Sequence, residues 1–125
     1  MIKHGNPPYL ECSSKGDVRF SAFYAIVNGK SIEEQYQAAK VFEDGSTGLN
    51  WRLAKGRMPV NTETCKVLYY SLWKQYIDEH SELLEILINS TGLSDIFGSH
   101  KSLVCQATVL WDIRCAARYL KGLPE

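Results

Sequence analysis

The sequence has no Cys-x-x-Cys pair, no Walker pattern, no apolar run of membrane-spanning length and no excess of charge of either sign. Each absence excludes a class of function. Cys12, Cys65, Cys105 and Cys115 are too scattered for a zinc knuckle or a thioredoxin-type centre. His4, His80 and His100 have no metal-ligand spacing to an acid or a cysteine, so neither a metal nor a cofactor is expected. Lys plus Arg and Asp plus Glu stand at 14 each. That balance excludes the positive field a broad nucleic-acid surface needs, though not a single phosphate pocket or contact with one modified base. Without a run of about 20 apolar residues there is no membrane helix. The polar, proline-broken start, with Pro7 and Pro8, predicts no secretory leader. These features predict a soluble, cytoplasmic protein without disulfides.

What is present suits one globular domain over residues 1–125, with 45% hydrophobic residues to build a core. Residues 9–12 read as a short strand. Residues 18–27 read as a strand with an irregularity near Ser21 or Ala22, and Asn28-Gly29 as a tight turn, since both residues tolerate positive φ. Ser31 followed by Glu34 is a capping-box pattern that starts a helix burying Ile32, Tyr36 and Ala39 and fading at 43–45. Ser46 or Thr47 begins a second helix to Gly56. Asn61 caps a long third helix in which Cys65, Leu68, Tyr69, Leu72 and Tyr76 recur at three- and four-residue steps. Ser81 caps a fourth helix, residues 93–102 read as a loop, and a fifth helix spans 104–120 with Val109, Leu110, Ile113, Ala117 and Leu120 inward. Trp73 and Trp111 read as core. The expected fold is α+β and mainly helical: a small N-terminal β-sheet or hairpin packed on about five helices.

The segment most open to chemistry is the first helix. Glu33, Gln37 and Lys40 follow one another at four and three residues and share one strip of it. An acid, an amide and an amine there suit a polar site, and suit a solvated helix face equally well. In the first helical turn the Glu33 carboxylate is favoured by the helix dipole and stays ionised. Such a group can stabilise a sugar cation or activate water. Lys40 has three open roles: a point charge for phosphate, a group that holds Glu33 or Asp95, or an amine nucleophile. The turn Gly45-Ser46-Thr47-Gly48 before a helix offers N–H groups to a phosphate, with Arg52 and Lys55 adding charge and Trp51 stacking on a purine. An ordinary capped amphipathic helix has the same pattern.

Residues 31–40 resemble the signature helix of the NADAR, or YbiA-like, family, which runs roughly Thr-Val-Glu-His-Tyr-Phe-Gln-Ala-x-Lys. Ser31, Ile32, Glu33, Gln37, Ala38 and Lys40 agree or substitute conservatively. Phe20-Ser21-Ala22-Phe23-Tyr24 resembles the family's Phe-Ser-Asn-Phe-Tyr. Asp95-Ile96-Phe97-Gly98 resembles Asp-x-x-Trp-Gly, one residue shorter, and Leu110 to Arg114 resembles a Leu-Met-x-Val-Arg ending. The resemblance runs from about residue 18 to 115 and is dense over 20–42. It implies a YbiA-like fold and an N-glycosidase-like hydrolase, acting on ribose joined to a base or amine, with phosphate or ADP attached or absent. Glu33, Lys40 and Asp95 are the implied catalytic set. Phe20, Ser21, Tyr24, Gln37, Trp51, Arg52, Lys55, Phe97 and Gly98 are the implied substrate contacts, with Phe20, Tyr24, Trp51 and Phe97 clamping the base. Asp95 would orient the ribose or act as a second acid/base. The implied partner is a small nucleotide-like molecule, or a modified base in nucleic acid. Ala22 replaces the family's Asn, which implies an altered substrate choice or lost activity and, with the altered Asp95 region, a binding module for ADP-ribose-like nucleotides without turnover; Glu34 replaces its His and is absorbed as a cap residue.

Overall fold

The structure is a computed structural model that describes residues 9–12, 15–48, 54, 57–94 and 105–123. It is α+β and mainly helical, as the sequence predicts. In chain order its elements are β1 (Tyr9–Glu11), a 3-10 turn (Val18–Phe20), β2 (Ile26–Val27), β3 (Lys30–Ser31), α1 (Ile32–Ala38), α2 (Thr62–Asp78), α3 (Ser81–Ile88), β4 (Gly92–Ser94) and α4 (Gln106–Leu120). The second helix expected over 46–56 lies outside the described residues except at its ends.

β2 and β3 pair antiparallel, Ile26 opposite Ser31 and Val27 opposite Lys30. Asn28 and Gly29 join them with φ of 55° and 86°, the doubly positive turn that matches the twist of a hairpin. The continuous strand expected over 18–27 is broken. Asp17 caps a single 3-10 turn through the Arg19 N–H, and the chain turns again so that the amides of Tyr24 and Ala25 both donate to the Ser21 carbonyl. That second turn has a use. The first N–H groups of a helix have no partner within it, and here Ile32 donates to Ala25 O and Glu33 to Ala22 O. Glu34 N donates to Ser31 Oγ at 3.1 Å. The turn at 21–25 and the Ser31 cap together satisfy all three.

α1 has seven residues, too few to be stable alone, and ends earlier than its periodicity suggests. It is held by packing on α2. Ile32 and Tyr36 are buried, and the Tyr36 ring meets Tyr69 edge-on with centroids 4.9 Å apart. α2 is the central element: Cys65, Tyr69, Leu72, Trp73, Tyr76 and Ile77 are buried along it, with Leu83 and Leu87 of α3 and Val109, Leu110 and Ile113 of α4 in the same core. Leu120, expected inside, is exposed in the last helical turn. Trp73 is fully buried, whereas Trp111 is only partly so and carries the Arg114 guanidinium 4.2 Å above its ring.

A further strand and two helix caps also differ from the sequence reading. The loop expected after residue 92 contains β4, which pairs parallel with β1 in the register Tyr9 to Gly92, Leu10 to Leu93 and Glu11 to Ser94. Strands of three residues carry too little periodicity to be seen, and the pairing joins segments far apart in the chain. The caps also move. His80, not Ser81, precedes α3, and Asn61 precedes α2 without a side-chain cap bond. Its Nδ2 donates to Ala39 O and its Oδ1 accepts from Val41 N, both at 2.9 Å, which fixes the chain on either side of Lys40. Asn61→Ala should therefore destabilise the protein by roughly 1–3 kcal/mol, the usual cost of leaving such backbone groups unpaired. The shift in denaturant midpoint relative to wild type measures it; an unchanged midpoint would make the two bonds incidental.

Candidate functional site

The strip predicted on the first helix is real in one respect: its three polar side chains sit together away from bulk water. Gln37 Nε2 donates to Glu33 Oε2 at 2.6 Å. Glu33 is half-buried, while Gln37 and Lys40 are almost wholly buried, at 4% and 3% exposure. A solvated helix face does not have these values. The other Gln37 amide atom, Oε1, is buried with no hydrogen-bond partner among the described residues.

Lys40 follows α1, and two of the three N–H groups of its ammonium are taken up by backbone carbonyls. Nζ donates to Arg57 O at 2.8 Å and to Ala54 O at 3.2 Å, and lies 5.4 Å from the centroid of the Tyr36 ring. Its backbone is pinned as well: Lys40 N donates to Gln37 O, and Gly48 N to Lys40 O. Gly48 is required there, since a Cβ would overlap the Gln37 carbonyl. Burial pushes the Lys40 amine below the ordinary lysine range, while Glu33 and Cys65 pull the other way. Beneath the strip, burial raises the Tyr36 phenol, with Cys65 and Glu33 adding to the shift, and burial also raises the Cys65 thiol, opposed by Lys40. The site floor is therefore a protonated phenol and thiol facing a partly desolvated amine.

The remaining expectations divide. Phe20 and Ser21 are fully buried. Phe20 belongs to the core cluster and has no free face for a base, so its clamping role is corrected. Ser21 holds the turn through its carbonyl, and its Oγ accepts from Phe23 N at 3.4 Å. Tyr24 is exposed. Ala22, in the place of the family's Asn, is anchored by its backbone, its N–H donating to Gln106 Oε1 of α4 at 2.7 Å. The glycine turn at 45–48 is not an open phosphate cradle. Gly45 N donates to Phe42 O, Ser46 N to Asp44 Oδ1 and Gly48 N to Lys40 O, because the chain folds back there in a tight return with Val41 bridged to Thr47. Trp51, Arg52, Lys55, Asp95, Phe97 and Gly98 lie outside the described residues. Among the described residues no group of three or more His, Cys, Asp and Glu could hold a metal ion, and no helix is long and apolar enough to cross a membrane. All four cysteines are free thiols.

Sequence reasoning missed Asn61 and Cys65 as neighbours of the strip, and Gln106 as the partner of the Ala22 N–H. Asn61 gave the wrong signal, because Asn before a helix reads as a cap. Gln106 and Cys65 gave none, since their contacts cross the fold. No family model matches the chain, and searches of curated proteins and of solved structures find no match either.

The raised Tyr36 phenol gives a pH signature. Its ordinary value is 10.0 and the folded value is higher, so above about pH 10 the unfolded chain loses this proton before the folded one does. Folded stability is then fully present below pH 10 and is lost as pH rises beyond it. Cys65 acts in the same sense from its ordinary value of 9.0. Tyr36→Phe should lose less stability between pH 8 and pH 11 than wild type, as read from denaturant midpoints at the two pH values. Equal losses would exclude Tyr36 as a source of alkaline destabilisation.

Proposed function

We propose that the protein is an N-glycosidase-like hydrolase of NADAR type, cleaving the bond between ribose and a base or amine, with phosphate or ADP on the sugar or absent. The observation that carries this reading is the Glu33–Gln37 pair, a carboxylate held at 2.6 Å by a buried amide beside a buried lysine. Such a carboxylate is held in one orientation, in surroundings less polar than water, where its field on a developing cation is strongest. Departure of the base takes the glycosidic electron pair and leaves an oxocarbenium-like sugar. Glu33 stabilises that cation or takes the proton of the attacking water, and water supplies the hydroxyl at the anomeric carbon. The departing base is protonated in the same event. We assign Asp95 to the ribose or to a second acid/base role, and Tyr24, Trp51, Arg52, Lys55, Phe97 and Gly98 to the substrate wall, on the strength of the resemblance. The free thiols and the lack of a membrane-length helix among the described residues suit the cytoplasm.

Of the three roles open to Lys40, the geometry favours holding the site. Its amine already serves two carbonyls, and a nucleophile must reach the substrate. The same occupancy, with Ala22 in place of Asn, supports a second reading in which the pocket recognises an ADP-ribose-like nucleotide without turnover.

Two measurements separate these readings. Wild type incubated with a panel of N-ribosyl and ADP-ribosyl substrates should release base, read by mass spectrometry, and Glu33→Gln should bind as before but release base about a hundredfold to a thousandfold more slowly. Binding without release in wild type selects the second reading, and unchanged release in the variant removes Glu33 from the mechanism. Borohydride added during turnover should leave no adduct on the peptide containing Lys40. A substrate-dependent mass increase there would make Lys40 a covalent nucleophile.

A further inference from the structure

Gln37 is a side chain with one end committed and the other unused. Its Nε2 donates to Glu33 Oε2 at 2.6 Å, and this sets the orientation of the amide, because a flipped amide would oppose two oxygens at that distance. Oε1 is then a buried acceptor without a partner among the described residues, in a residue 4% exposed. The only other such atom among the described residues is Trp73 Nε1, which belongs to a fully buried indole in the apolar core, next to the Tyr76 ring. Gln37 differs because its neighbours are polar. Buried amide oxygens are almost always satisfied, and one that is not calls for a donor supplied from elsewhere.

Three features restrict what that donor is. It must be a hydrogen-bond donor, since Oε1 is a carbonyl oxygen. It must sit beside Glu33, since one carboxamide touches the carboxylate with its nitrogen and presents its oxygen next to it. It must be small, because Oε1 is itself buried and the residue is 4% exposed. We infer that Gln37 Oε1 accepts a hydrogen bond from the 2′-hydroxyl of a ribose, making Gln37 the residue by which the site distinguishes ribosides from 2′-deoxyribosides. This deepens the proposed function and rests on it. With Glu33 at the anomeric carbon, the adjacent substituent is the hydroxyl on C2, and the Glu33–Gln37 bond places its acceptor one group away. A hydrogen bond to that hydroxyl also strengthens as the sugar cation develops. A 2′-deoxy sugar leaves Oε1 as unpaired as it is in the free protein, the situation in which a hydrogen-bonding site rejects an analogue.

Calorimetry with ribose 5-phosphate and 2-deoxyribose 5-phosphate tests this without any variant. Wild type should bind the first roughly tenfold to a hundredfold more tightly. Gln37→Met keeps the length of the side chain and removes both amide groups, and in it the preference should vanish. Base release from ribonucleoside 5′-monophosphates and their 2′-deoxy counterparts provides a second readout. The 2′-deoxy bond is intrinsically the more labile, so the quantity compared is the riboside-to-deoxyriboside ratio of wild type against that of Gln37→Met. Equal binding of the two sugars by wild type overturns the inference, as does a preference that survives in Gln37→Met. In both cases sugar binding itself leaves the proposed function standing. If wild type binds neither sugar and releases no base, the proposed function falls and this inference with it.

Discussion

A buried ammonium is the constraint from which the site follows. Lys40 is 3% exposed, and among the described residues no carboxylate lies within salt-bridge distance of it. A cation taken out of water must recover its hydration from fixed dipoles, or its charged form is disfavoured. Here two carbonyls do so, Ala54 O and Arg57 O, and their positions then cease to be free. The segment around 54–57 is tied to the end of α1. Gly48 must come close enough for its N–H to reach Lys40 O, and Val41 and Ala39 are held from the other side by Asn61. These contacts tie the end of the seven-residue helix, as Ser31 and the turn at 21–25 tie its start, and the Glu33–Gln37 contact lies between the two anchors.

This view also explains which parts were legible in the sequence. The cap at Ser31, the Asn28-Gly29 turn, the inward row of α2 and the strip of Glu33, Gln37 and Lys40 are local patterns, and local sterics and periodicity encode them. What failed to show was non-local. β1 was legible as a short strand, but β4 has three residues and finds it across some 80 residues of chain, so β4 carries no signal of its own. Phe20 and Ser21 read as substrate contacts because they precede the helix in the right order, yet burial is decided by what packs on them. Asn61 was legible as a residue that bonds to backbone, but not as to which backbone: it chose the chain around Lys40 over its own helix. Leu120 fits the inward period of α4 and is exposed because the helix outlasts the core it packs on.

The desolvated floor bears on the chemistry as well. Tyr36 and Cys65 hold their protons more tightly than usual, while Lys40 holds its proton less tightly. These shifts come mainly from the same cause, the exclusion of water. Lys40 is spread over two carbonyls. Glu33 receives an N–H at one oxygen and is the less buried of the two. The strip is therefore layered by depth: the lysine beneath holds the chain in place, and the carboxylate lies nearer the surface.

Between them lies Gln37, and its chemistry decides what the pair can recognise. A carboxamide donates at one end and accepts at the other without changing charge. Replacing it by a carboxylate would put two negative charges in contact, and one of them would have to take up a proton. An apolar replacement would remove the N–H that Glu33 Oε2 accepts. With the amide, Glu33 meets a donor at that contact and no second negative charge, and the opposite end of the group remains an acceptor. Orientation of the acid and recognition of a neighbouring hydroxyl are then two ends of one side chain, so a change of residue at position 37 cannot alter the first without altering the second.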